Sequence, residues 1–100
     1  MNQLSEIQSW YKSHCDGEWE HQYGIMIETI DNPGWIVKID LQGTGLIAKK
    51  FDELKVNYDH DSDWIICKKD EKHFEAACGP TKLSEVLSHF LQWAHSEGDS

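Results

Sequence analysis

Gly24-Ile25-Met26-Ile27-Glu28-Thr29-Ile30-Asp31-Asn32-Pro33-Gly34-Trp35-Ile36-Val37-Lys38-Ile39-Asp40-Leu41 is the stretch that decides the fold. Trp35, Val37, Ile39 and Leu41 alternate with Ile36, Lys38 and Asp40. A period of two makes a strand with one buried and one mainly polar face. Residues 24–30 read as its partner. Asp31-Asn32-Pro33-Gly34 between them reads as a type II turn, where Gly accepts positive φ. Strands joined this briefly pair antiparallel.

The same reading extends outward. Gly43-Thr44-Gly45 breaks the pattern, and residues 46–51 are expected as a short edge strand. Leu54, Val56 and Tyr58 alternate with Lys55, Asn57 and Asp59, a further strand, and Asp59-His60-Asp61-Ser62 is a polar turn. Residues 63–69 and 73–78 make two more strands around the charged turn Asp70-Glu71-Lys72. Helical spacing takes over at both ends. Leu4, Ile7, Tyr11 and His14 form one stripe, widened by Trp10 and terminated by Gly17. Leu83, Val86, Leu87, Phe90, Leu91 and Ala94 form another, with Thr81 as cap and Gly98 as stop. The expectation is one α+β domain over residues 1–100. Its antiparallel meander of about five strands is flanked by N- and C-terminal helices packed on one face.

Composition narrows the function. The chain has 100 residues, 39% hydrophobic and 11% aromatic, too apolar for a disordered tail. No apolar run approaches the roughly 18 residues of a membrane span, and the start Met-Asn-Gln-Leu-Ser-Glu lacks a signal-peptide pattern. A cytoplasmic protein without membrane contact is expected. Eighteen acidic residues face nine basic ones, a net charge of -9, and every basic residue is Lys. This field opposes nucleic-acid binding, and the lack of Arg weighs against phosphoryl transfer. It favours encounter with a basic partner.

Candidate chemistry is sparse. His14, Cys15 and His21 match no common zinc spacing and lack a fourth ligand, so no metal or cofactor is expected. Cys15 with His21 offers a nucleophile and base for a small enzyme, the alternative reading. Residues 59–70 begin like a calcium loop but hold Trp64 and Asp70 where Gly and Glu are required. There is no phosphate-binding Gly loop, no G-x-S-x-G and no H-E-x-x-H, and the chain is read as a non-enzyme. Cys15, Cys67 and Cys78 are odd in number and without C-x-x-C spacing, which fits free thiols. Trp35, Trp64 and Trp93 lie in or near apolar stripes.

Cys15-Asp16-Gly17-Glu18-Trp19-Glu20-His21-Gln22-Tyr23-Gly24, the Asp31-Asn32-Pro33-Gly34-Trp35 turn, Asp63-Trp64, Phe74-Glu75-Ala76, Gly79-Pro80 and Phe90-Leu91-Trp93-Ala94 together resemble the immunity protein 53 family of bacterial polymorphic toxin systems. The resemblance implies a small acidic α+β protein, encoded beside a toxin, that neutralises the toxin by binding it. The partner is then a cognate toxin domain, a basic nuclease or similar enzyme, blocked by an acidic surface containing aromatics. A generic acidic adaptor is the third reading. The residues expected to touch the partner combine acids and aromatics at the rim of an open sheet face. They are Glu18, Trp19, Glu20, His21, Glu28, Asp40, Asp61, Asp63 and Trp64. The sequence leaves the oligomeric state open.

Overall fold

The computed structural model describes residues 2–56 and 63–96. Two helices open the chain, α1 (Gln3–His14) and the one-turn α2 (Trp19–Gln22). Strands β1 (Ile25–Ile30) and β2 (Gly34–Asp40) follow, then a 3-10 turn over Gly45–Ala48. Strands β3 (Leu54–Val56), β4 (Ile65–Lys69) and β5 (His73–Cys78) lead to α3 (Leu83–His95). The class is α+β as expected, and all strand pairs are antiparallel.

The sheet order is β1-β2-β5-β4-β3, so the chain is not a simple meander. After β2 the 13 residues 41–53 carry it to the far edge, too long a link for a hairpin. β3, β4 and β5 then return by neighbour pairing until β5 closes on β2. No strand forms over residues 46–51. Thr44 Oγ1 accepts from the Leu46 amide and starts the 3-10 turn instead. The expected strand end at Asn57 and Tyr58, the Asp59-His60-Asp61-Ser62 turn and the helix stop at Gly98 lie outside the described residues.

The inner face is built by Val37, Ile39, Phe74, Ala76, Cys78, Ile65 and Cys67, all buried. Helices α1 and α3 cover it, joined through Trp10–Phe90 and Phe90–Phe74 ring contacts, each 5.1 Å between centroids. The crossover completes the cover: Phe51 stands edge-on to Phe74 and to Trp93. On α1 the buried residues are Ile7 and Trp10, while Leu4 is 62% exposed. The apolar stripe is thus rotated from the one expected, leaving Leu4 and Tyr11 on its flanks. Lys82, not Thr81, precedes α3, without a side-chain cap. At the other end Lys49 Nζ donates to the Trp93 and Ser96 carbonyls at 2.7 Å, where a cation complements the helix C-terminus.

Gly34 corrects the type II turn. It is the first residue of β2 and has no positive φ; the Asn32–Pro33 bond is cis. Gly is needed because a Cβ would overlap the Cys78 carbonyl of β5.

Candidate functional site

The Asp16–Tyr23 segment is tied down by its own side chains. Asp16 Oδ1 accepts from the Glu18 and Trp19 amides, both at 2.9 Å, and so fixes the turn that enters α2. The Glu20 carboxylate reaches back to the Asp16 and Gly17 amides at 2.9 Å, with Gly17 at φ +94. The Trp19 amide holds the Asp16 carboxyl below its ordinary range, helped by that of Glu18. Backbone amides do the same to Glu20, its own first and then those of Asp16 and Gly17. Trp19 lies in the core, 6% exposed, and its indole Nε1 donates to the Gln42 carbonyl at 2.8 Å. Its ring meets Trp10, Tyr11, His14 and Tyr23. Gly43, at φ +80, brings the crossover close against it, where a Cβ would come within 2.9 Å of Trp19 Cδ1. The segment that reads as a contact loop is therefore also a clamp between α1 and the crossover, and the Trp19 ring is not on the surface.

The other candidates separate by place. Glu18, which precedes α2, and His21 on it are exposed, just before the start of β1 in the chain. Asp40 is at the same end. Its Oδ2 accepts from the Gly24 amide at 2.9 Å, and its Oδ1 faces His73 Nε2 at 3.1 Å. Glu28 is exposed midway along β1, opposite Ile36. Asp63 and Trp64 precede β4 at the opposite end of the strands. There Asp63 Oδ1 pairs with Lys82 Nζ at 2.6 Å and the Trp64 carbonyl accepts from Gly79. Asp61 lies outside the described residues. The two acidic-aromatic segments thus flank opposite ends of a sheet whose β2 alone is about 20 Å long, at roughly 3.3 Å per residue.

The register places Met26, Glu28, Ile30, Ile36, Lys38, Asp40, Lys55, Ile66, Lys68, His73, Glu75 and Ala77 on the face away from the helices. At its centre is a shallow depression of about 380 Å³, bounded by Ile36, Ile66 and Ala77 with Lys38, Lys68 and Glu75 around them. Sequence reasoning missed this centre. Ile36 among polar residues and the Ile65-Ile66 doublet were its signals. The charges on the face are of both signs: Lys38 pairs with Glu75 at 3.9 Å. At the β4–β5 turn, Asp70, His73 and Glu75 each bring a ligand atom within 4.8 Å of one another. Asp70 Oδ1 is taken by the Lys72 and His73 amides at 2.7 Å and His73 by Asp40, so a hydrogen-bond network accounts for the grouping.

The thiols are free. Burial pushes Cys67 up to about 12 and Cys78 up to about 11, far from a reactive thiolate. Cys15 Sγ donates to the Tyr11 carbonyl at 3.3 Å. Among the described residues no histidine nitrogen is hydrogen-bonded to it, so the Cys15/His21 pairing is not assembled. Nor does any helix of the described residues have the length and apolarity to cross a membrane.

Among the described residues the helices leave one sheet face and the outer edge of β1 uncovered, with Glu18 and Glu28 exposed. The chain belongs to the immunity protein 53 family, whose family model matches residues 4–95. Membership implies a protein partner, a toxin. No curated protein and no solved structure gives a significant match.

Proposed function

We propose that this protein is a cytoplasmic bacterial immunity protein that binds the toxin domain encoded beside it and blocks that domain by occlusion. Family membership over residues 4–95 is the observation that carries this reading. Charge supports a basic target, a nuclease or similar enzyme. The net charge is -9, and the segment 16–31 holds Asp16, Glu18, Glu20, Glu28 and Asp31 with no Lys. Carboxylates there stand where an anionic substrate would stand on the toxin, and their field speeds encounter. Trp19 is buried and is assigned in this reading to support of the segment, and Glu20 contributes charge while its oxygens hold the turn.

The test is the association rate of the toxin domain with a Glu18→Lys/Glu28→Lys/Asp31→Lys variant. All three residues are exposed. The variant should keep the wild-type melting curve, bind more slowly at low salt, and lose most of its salt dependence. An unchanged rate across salt concentrations would contradict the acidic-face reading.

A further inference from the structure

Strand β1 is an edge strand with nothing paired to its outer side among the described residues. The Asp40 amide donates to the Gly24 carbonyl. In an antiparallel ladder the hydrogen-bonding direction alternates, so Gly24, Met26, Glu28 and Ile30 turn their backbone groups toward β2. Ile25, Ile27 and Thr29 therefore aim theirs outward. Natural sheets blunt such edges with short strands, Lys, Pro or bulges. The opposite edge obeys this: β3 has three residues and carries Lys55. β1 has six residues in regular register, no Lys and no Pro, and exposes Met26 and Ile27, each 38%.

The space beside the edge has a shape. On the helix side a groove of about 340 Å³ runs between α1 and β1, lined by Ile7, Gln8, Tyr11, Gly24 and Ile25. A strand added to β1 would satisfy the three outward amides and carbonyls, cover Ile27, and direct every second side chain toward this groove. Charge selects the occupant. The segment 16–31 that contains β1 holds five carboxylates and no Lys. A second copy would bring the same five against them, whereas a basic strand is attracted. The uncovered sheet face, with Lys38–Glu75 and His73–Asp40 paired across it, gives no such sign preference.

We infer that the β1 edge receives an extended strand of the toxin, one carrying Lys or Arg beside apolar side chains, so that toxin and immunity protein share one sheet. This rests on the toxin-binding reading above. The probe is a catalytically inactivated form of the toxin domain encoded beside this gene. Amide exchange of the wild-type complex should slow at Ile25, Ile27 and Thr29, which are open in the free protein. Protection appearing elsewhere with these three unchanged would overturn the inference while leaving immunity intact. Thr29→Pro removes one outward N–H and spares the β1–β2 ladder, a substitution edge strands tolerate. It should weaken binding by roughly tenfold or more, and a folded Thr29→Pro protein with wild-type affinity would refute the edge. If sedimentation instead finds a wild-type dimer that Thr29→Pro dissolves, the occupant is a second copy and the toxin strand is wrong. Failure of the wild-type protein to bind the toxin domain at all would bring down the functional reading itself.

Discussion

Trp19 and Asp16 illustrate how one residue serves the fold where its sequence context reads as function. An acid-aromatic-acid run looks like an interface, because Trp anchors interfaces and acids steer them. Nothing local says that the indole finds the Gln42 carbonyl, which is distant in sequence and reached only once the crossover folds over α1. The carboxylates beside it give the segment a pH signature. Asp16 and Glu20 are held below their ordinary values of 3.8 and 4.5 by backbone amides, and Asp70 by those of Lys72 and His73. A depressed carboxyl stabilises the fold fully above its ordinary value and ceases to as pH falls through the lowered one. The melting temperature should hold near neutrality and fall from about pH 4 downward, with a shallower fall in Asp16→Asn. A melting temperature flat down to pH 2.5 would refute this. Thiol reactivity separates the cysteines in the same way. Cys67 and Cys78 are 0% exposed and Cys15 is partly exposed. Native protein should react rapidly at Cys15 alone and denatured protein at all three.

The strands were legible in the sequence because alternation survives wherever one face is buried, as in Trp35-Val37-Ile39 against Lys38 and Asp40. The order of the strands was not. Turn chemistry joins neighbours, but the insertion of β5 beside β2 depends on a 13-residue crossover whose path is set by Leu46, Ile47 and Phe51 packing into the shared core. The α1 stripe failed for a related reason. Leu4, Ile7, Trp10 and Tyr11 are all apolar enough for a core, and only the position of α3 decides which of them face it. Gly34 is the sharpest marker of the β2–β5 contact, since its missing side chain admits the Cys78 carbonyl. Gly34→Ala should push these strands apart and cost about 1–3 kcal/mol, lowering the melting temperature by roughly 4–8 °C per kcal/mol for a chain this size. A wild-type melting curve for this variant would mean that the two strands do not approach as described.

Across the whole molecule, charge was readable from the outset and its placement was not. Net charge says only that a basic partner is favoured. Five carboxylates fall in the segment 16–31 that contains β1, and the fold makes that strand a sheet edge while leaving signs balanced around the apolar centre of the sheet face. Glu18 and Asp63, which composition places in one class, end at opposite ends of the strands, and Asp63 is held by Lys82. The proposed toxin contact is tested by mutating the exposed residues on the β1 side, and the buried Trp19 by its effect on stability. The central claim is that this chain neutralises its toxin by direct binding. The measurement that tests it most directly is a titration of the purified toxin domain's activity with this protein, at low and at high salt. Activity should fall in proportion to added protein and vanish near one equivalent, with slower onset at high salt. Full toxin activity in the presence of a large excess of folded protein would contradict the account.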